Sequence, residues 1–331
     1  MTVRDEAVDT LEPASAPEPM PAPPRRWTLH GLNNALIFRL TLAGVRRLPR
    51  RVSYAIGSAG SWLAWRLMTD TTDAIADNLA AVCLDEPLAL RRRRALEVYR
   101  SYTRDSIDFI RALSAPDEEV RAMFSADAAD VERFRGLVAA GRGAIIVTGH
   151  FGNWESGAIL MRRVFQLPLT VVAMREANDQ VNEMRRRIRD GIGVATLEVR
   201  QALGTALQIR RELAANRAVA LLIDRHLGRD RLPVTLFGRR AWFLRTPALL
   251  AYLTGAPLVP CFIERTGPGR FRAILGELIE LSPDEPRDAA LARAVQAVAD
   301  ALEARVRARP ECWYHFYRYW DAQRDDYTGL G

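Results

Sequence analysis

From Gly143 onward, short apolar runs alternate with longer amphipathic stretches, and no other feature narrows the possible folds as much. The runs are Ala144–Thr148, Leu169–Ala173, Val194–Val199, Ala218–Ile223 and Leu258–Ile263, with a further strand expected at Arg272–Leu278. Between and after them lie Trp154–Phe165, Asp179–Asp190, Arg200–Ala214, Pro247–Leu253 and Asp288–Arg309, which have the length and apolar spacing of helices. Runs of five or six apolar residues have no polar side to show to water, so each must be covered on both faces. The pattern predicts an α/β fold: a mostly parallel central sheet with helices on both faces. Thr246-Pro247 supplies a helix start, with a capping hydroxyl followed by the one residue that needs no helical N–H donor. There is no internal repeat.

The first half reads differently. Residues 1–26 form an acidic, Pro-rich tail; residues 1–24 alone carry six prolines and a net charge of −4. With no apolar run, this tail is expected to be disordered, and it is not a secretory signal. Residues 27–70 are expected to form an amphipathic or apolar helix pair broken at Pro49. Val52 to Trp65 carries no charge but is too short to span a bilayer, which takes roughly 20 residues. Such a pair either lies in a membrane interface, with Trp62 and Trp65 at headgroup depth and Arg46, Arg47, Arg50 and Arg51 on lipid phosphates, or packs on the core. Residues 71–331 would then be the catalytic domain. Helices are expected at Ala74–Val82, Leu88–Leu113 and Val131–Ala140, and a loop at Pro116 and the acids after it. The Arg91–Arg94 run is either a solvated face or a contact for a carrier or lipid.

Composition removes several chemistries. The chain of 331 residues has 47 Lys plus Arg, and all are Arg. Without Lys there is no Walker-type phosphate loop and no Schiff-base amine. Cys83, Cys261 and Cys312 make neither a CxxC pair nor a disulfide framework. His30, His150, His226 and His315 lack metal-ligand spacing, so no metal is expected. Residues 25–331 carry +11, which suits anionic lipid or an acidic carrier. The Arg residues are spread along the chain without any nucleic-acid-binding signature, so no nucleic-acid partner is expected. Oligomeric state is not legible.

Chemistry concentrates in Gly149-His150-Phe151-Gly152-Asn153-Trp154-Glu155. A strand followed by glycine delivers His150 to the carboxyl edge of the sheet, where open parallel sheets bind ligands. Glu155 falls in the first turn of the next helix. Returning across the turn, its carboxylate is expected to orient one imidazole nitrogen and leave the other facing substrate as general base. No Gly-x-Ser-x-Gly elbow exists in the chain. A His–acid pair without its own nucleophile points to direct attack by a substrate hydroxyl.

His150-Phe151-Gly152-Asn153-Trp154-Glu155 resembles the H-x4-D/E motif of the lysophospholipid acyltransferase superfamily. Its filling is similar to that of the bacterial lipid A late acyltransferases (lauroyl and myristoyl acyltransferases) and of actinobacterial mannoside acyltransferases. Further blocks resemble the same family: Leu221-Leu222-Ile223-Asp224-Arg225-His226, Leu236-Phe237-Gly238-Arg239-Arg240-Ala241, Gly255-Ala256-Pro257-Leu258-Val259-Pro260, and Val171-Val172-Ala173-Met174-Arg175 with Asn178. At Asp224-Arg225-His226-Leu227-Gly228 the chain departs from the Asp-Gln-Asp-Tyr-Gly of many lipid A enzymes and is closer to the actinobacterial branch.

The resemblance implies acyl transfer to a hydroxyl of a glycolipid such as a lipid A precursor. The donor would be an acyl thioester on acyl carrier protein or coenzyme A, with no cofactor. The site would lie at an anionic membrane surface, on the cytoplasmic face of the inner membrane. It implies His150 as base with Glu155, Asp224 as either a second acid in the relay or a strand-end cap, and Arg175, Asn153 and Arg245 as substrate contacts. The alternatives are a lysophosphatidate or other glycerolipid acyltransferase, and an inactive homologue that binds membrane or carrier. The aromatic end, Trp313 to Trp320, would either pack over the sheet edge or line an acyl pocket.

Overall fold

The computed structural model describes residues 35–174, 179–199, 202–226 and 228–323. The tail, Trp27, Arg175, Asn178 and Leu227 lie outside the described residues.

The chain enters through α1 (Ala35–Arg47) and α2 (Arg50–Leu67), then α3 (Thr69–Leu79) and the long α4 (Leu88–Ser114). α5 (Asp117–Met123) follows, where a loop was expected. Pro116 pre-sets its entry, and Asp117, Glu118 and Glu119 sit in the first turn, where their charges face the positive end of the helix dipole. Next come β1 (Phe124–Ala126), α6 (Ala128–Ala139), β2 (Ala144–Thr148) and α7 (Trp154–Ile159), which continues as a π-helical turn, Leu160–Val164. β3 (Leu169–Met174), α8 (Asp179–Gly191), β4 (Ala195–Val199), α9 (Ala202–Ala214) and β5 (Ala218–Leu222) complete the alternating region. The remaining elements are β6 (Leu232–Leu236), β7 (Arg239–Phe243), α10 (Thr246–Thr254), β8 (Leu258–Gly267), β9 (Arg270–Leu275) and α11 (Arg287–Ala308).

Seven strands form the central sheet in the order β1-β9-β8-β2-β5-β3-β4. All neighbours are parallel except β8 and β9, which form an antiparallel pair. Alternate residues of β2 feed opposite sides, as the two-residue period of a strand requires. Ile145 and Val147 join a core with Ile209, Leu213, Leu250, Leu291 and Val298, from α9, α10 and α11. Ala144 and Ile146 join a second core with Val120, Phe134, Leu137, Ile159 and Leu160, from α5 to α7. Helices therefore cover both faces.

The hairpin β6–β7 was not expected. Its turn residues, Phe237 and Gly238, both have positive φ (53° and 72°), the requirement of the two-residue turn that matches strand twist. Phenylalanine adopts this conformation at a cost. The Phe237 N–H donates to Glu303 Oε2 at 2.5 Å and its ring packs 5.4 Å from Trp313, which offsets it.

α2 packs on α4 through small and polar residues. A Cβ on Gly57 would lie 2.6 Å from the Thr103 methyl, and Ser61 Oγ lies 3.0 Å from Thr103 Oγ1. Buried Asp108 accepts hydrogen bonds from Tyr54 and from the Gly269 N–H and pairs with Arg50 at 3.2 Å. Trp65 is turned inward, donating Nε1–H to Arg92 O at 2.7 Å, so only Trp62 of the expected headgroup pair is exposed. Within the Arg91–Arg94 run, Arg92 makes a bidentate pair with Asp73.

Candidate active site

The sheet register builds the site. In the parallel pair β2–β5, Thr148 stands opposite Leu222, and the Ile223 N–H donates to Thr148 O at 2.9 Å. Two residues further along each strand, His150 and Asp224 therefore emerge side by side at the carboxyl edge. Asp224 Oδ1 lies 2.7 Å from His150 Nδ1, and its Oδ2 accepts the His150 backbone N–H at 2.8 Å. His315 Nε2 approaches the same Oδ2 at 3.1 Å.

Glycines make the approach possible. A Cβ on Gly149 would stand 3.1 Å from Asp224 Oδ2 and 2.9 Å from the Leu302 methyls. Gly152 has φ +58°, and a Cβ there would lie 2.2 Å from Ile263 O. The turn is also pinned from outside. Gly152 N–H donates to Cys312 O at 2.9 Å, Asn153 N–H to Ile263 O at 2.9 Å, and Tyr314 N–H to His150 O at 2.7 Å. Tyr314 is fixed in turn by its hydroxyl, which donates to buried Asp105 at 2.5 Å, while Arg265 Nε holds the other oxygen of Asp105 at 2.8 Å.

Electrostatics set the protonation. Burial lowers the His150 pKa below 6.5, the neighbouring positive charge of Arg225 adds to this, and Asp224 only partly opposes it. Burial lowers His315 to about 3. For Asp224, burial alone would raise the carboxyl, but the two imidazoles outweigh it and hold it well below its ordinary value. At neutral pH the set is a carboxylate between two neutral imidazoles. A carboxylate only accepts, so Nδ1 of His150 and Nε2 of His315 must carry the protons that face it. That leaves His150 Nε2 as the lone-pair nitrogen, without a partner among the described residues, on a side chain that is 16% exposed. The ring edge is flanked by Trp154, centroids 5.4 Å apart.

Glu155 is not the acid on the imidazole. With Asn153 as N-cap, α7 begins at Trp154 and places Glu155 where Arg185 and Arg189 of α8 approach it at 3.9 and 4.0 Å, with no hydrogen bond to His150 among the described residues. The position expected for Glu155 is held by Asp224, which is both the orienting acid and a cap on the turn. Asn153 is 3% exposed; its Oδ1 accepts the Ser156 N–H and its Nδ2 donates to Asp105 O at 2.9 Å, so its amide is engaged inside the protein. Arg245 sits beside Asp230 at the start of α10. Because Leu244 N–H donates to Ile223 O, Arg245 stays at the carboxyl end of the sheet. Arg175 lies outside the described residues.

Sequence reasoning missed two neighbours. Arg225, next to Asp224, lies 5.1 Å over the Tyr317 ring and acts on the charge of His150. His315 is hidden in the aromatic run and could not be linked to position 150 by spacing. His150, Asp224 and His315 bring three potential ligand atoms within 4.8 Å of one another, which histidine spacing did not anticipate. In this arrangement the facing nitrogens spend their protons on the carboxylate, so the trio is joined by hydrogen bonds. Burial pushes the thiols of Cys261 and Cys312 up to about 12, so neither supplies a thiolate nucleophile.

A sequence-family profile described as bacterial lipid A biosynthesis acyltransferase matches residues 24–322. The chain is 27% identical over 286 residues to a phosphatidylinositol mannoside acyltransferase of Mycolicibacterium smegmatis, covering 85% of this chain and 90% of that one. It is 30% identical over 187 residues to a phosphatidylinositol mannoside acyltransferase of Mycobacterium tuberculosis, covering 55% of this chain and 56% of the other.

Proposed function

The chain belongs to the bacterial lipid A biosynthesis acyltransferase family, and from that premise we propose that it transfers a fatty acyl group from a thioester to a hydroxyl of a glycolipid, with His150 as general base. One observation carries the base role: Nδ1–H of His150 is held by a buried carboxylate while Nε2 is left without a partner. The acceptor oxygen attacks the thioester carbonyl as His150 Nε2 takes its proton. The tetrahedral intermediate then expels the thiolate, which recovers the proton from the imidazolium. Asp224 stabilises the imidazolium in between, the base–orienter arrangement of catalytic triads.

An oxyanion formed beside His150 would be stabilised by backbone amides or by an Arg, and the geometry favours Arg. The N–H groups of His150, Phe151, Gly152 and Asn153 are already donated to Asp224, Gly149, Cys312 and Ile263. Arg225 is the positive charge that acts most on His150. In this reading Glu155, with Arg185 and Arg189 around it, and Arg245 at the same edge serve the acceptor or the donor phosphates, and Arg175 keeps the substrate-contact role that the sequence suggests.

The proposed place of work is the cytoplasmic face of the inner membrane. Among the described residues no helix is long and apolar enough to cross a membrane. α2 has its small polar face on α4 and exposes Val52, Ile56, Trp62, Leu63 and Leu67, next to the arginines at positions 46, 47 and 51. A face of this kind fits an interfacial helix docked on anionic lipid, and the α1–α2 pair would be the attachment.

The relatives' names favour a sugar-bearing acceptor. The test is purified protein in mixed micelles with a lipid A precursor, a mannosylated phosphatidylinositol or lysophosphatidate, each with acyl carrier protein or coenzyme A thioesters. Mass spectrometry reads the product. Acylation of a glycolipid supports the proposal; turnover of lysophosphatidate alone transfers the protein to glycerolipid chemistry. Binding to vesicles with no turnover of any acceptor makes it an inactive homologue.

A further inference from the structure

His315 is 0% exposed, as is Asp224, and it is surrounded by the rings of Trp313, Tyr317 and Tyr319 at 5.0, 5.5 and 4.5 Å. Packing alone would be met there by an apolar ring. An imidazole instead leaves Nδ1 buried without a hydrogen-bond partner among the described residues, which costs stability. The compensating contact is Nε2–H to Asp224 Oδ2 at 3.1 Å. We propose that His315 is a positioning residue of the transfer reaction: through Asp224 it holds the His150 imidazole in the orientation and tautomer that leave Nε2 available to the acceptor hydroxyl. This rests on the base role of His150 given above.

Three features carry the proposal. The carboxylate of Asp224 has three donors, and they are unevenly placed. Oδ1 receives only His150 Nδ1–H, while Oδ2 receives the His150 N–H and His315 Nε2–H. The torsion that sets the plane of a carboxylate is broad on its own account, so donors on Oδ2 decide where Oδ1 points. His315 is also rigidly referenced to the base. The Phe151–Trp313 bridge and the Tyr314 N–H bond to His150 O join the segment carrying His315 to the turn carrying His150. The two rings lie 5.4 Å apart with the carboxylate shared between them. Finally, Tyr319 donates its hydroxyl to Asp224 O at 3.1 Å, so the same segment grips Asp224 by backbone and side chain together.

The sign of the effect on basicity follows from charge. The groups acting on His150 are Asp224 and Arg225 after β5, Glu155 from α7, and His315, whose own charged form Arg225 and His150 oppose. A donor on Oδ2 draws carboxylate charge away from His150. Removing it strengthens the pull on the imidazolium and raises the basicity of Nε2, while the loosened geometry slows transfer.

The test compares full-length His315→Phe, His315→Gln and His150→Ala, using a long-chain acyl-coenzyme A and a mannosylated phosphatidylinositol in mixed micelles. Gln keeps an N–H near the place of Nε2; Phe keeps only the ring. His315→Phe is expected to lower kcat about 10- to 100-fold with KM nearly unchanged, and to move the acid limb of the pH profile up by about half a unit. His315→Gln is expected to restore both. Nitrogen NMR of histidine-labelled protein, which needs no substrate, should give a single His150 tautomer in the parent and a mixture in His315→Phe. A folded His315→Phe with parental kcat and one tautomer overturns the proposal, and so does His315→Gln falling as far as Phe. If His315→Phe does not fold, His315→Leu takes its place beside His315→Gln with the same expectations, and a folded His315→Leu with parental kcat and one tautomer overturns the proposal. Activity in His150→Ala would remove the base role itself. An inactive His150→Ala beside unaffected His315 variants removes only this inference.

Discussion

Asp224→Asn tests the relay where it is most exposed to failure. In the parent, Oδ2 takes two N–H donors, from His150 and His315, and Oδ1 takes His150 Nδ1–H. An asparagine keeps its carbonyl oxygen under the two donors, which places the NH2 against His150 Nδ1. That nitrogen must then accept, the ring proton moves to Nε2, and the atom that should take the acceptor proton is already protonated. Charge is lost as well. With Nδ1 and Oδ1 2.7 Å apart, the centres of imidazolium and carboxylate are about 4 Å apart. At an effective dielectric of about 20 their attraction is worth about 4 kcal/mol, or about a thousandfold in rate. The expected result is a loss in kcat of about 10³ at pH 7, with KM little changed and a native circular dichroism spectrum. Steady-state transfer assays and histidine nitrogen NMR read the two parts separately. A folded Asn variant within tenfold of the parent, with Nδ1 still protonated, would refute the relay and leave Asp224 as a cap on the turn.

Four further outcomes follow from the same geometry. Glu155→Gln removes the carboxylate facing Arg185 and Arg189 but leaves the Asp224 bond intact, so the His150 tautomer seen by NMR should be unchanged; a switch would return Glu155 to the imidazole. Gly152→Ala puts a methyl 2.2 Å from Ile263 O at φ +58°, and calorimetry should find a loss of about 3 kcal/mol or more, with inactivation. Ile56→Asp and Leu63→Asp change side chains that are 58% and 50% exposed; sedimentation with anionic vesicles should show lost binding while the melting temperature stays put, and unaltered binding would remove α2 from the interface. Stability should fall as pH drops below 6.5, because His315 stays neutral to about 3 when folded whereas the unfolded imidazole takes up its proton at 6.5. Asp224 acts only below its unfolded value of 3.8, so between 6.5 and 4 denaturation curves of His315→Gln should show a flatter fall than the parent.

The sheet was legible in the sequence because buried parallel strands have little freedom. Ala144–Thr148, Ala218–Leu222 and the Leu258–Ile263 part of β8 sit in the middle of the sheet and read as apolar runs. The hairpin β6–β7 was not legible, since its turn places Phe237 at a positive φ that no propensity favours and that only contacts with Glu303 and Trp313 support. α5 escaped for the opposite reason. Its short run of acids looks like a loop until the first-turn dipole is counted and Val120 and Met123 are found buried beneath it.

The site divides along the same line. His150 was legible because the glycines that permit its turn are its sequence neighbours. Its orienting acid was not, because pairing order is a property of the whole sheet. From spacing alone, Glu155 was the economical choice, since closing a loop over five residues costs little chain entropy. The helix that begins at Trp154 overrides that economy by fixing the direction of Glu155. The order β8-β2-β5 supplies Asp224 from 74 residues away at a position set by strand register. His315 lies further off still, 91 residues beyond Asp224. Each added member of the trio thus comes from a later part of the chain and from a less local constraint: a glycine turn, then strand register, then an aromatic segment bonded to both the His150 turn and Asp224. A hydrogen-bonded trio drawn from three distant parts of the chain is complete only when all three are in place, which ties the orientation of His150 to the native fold.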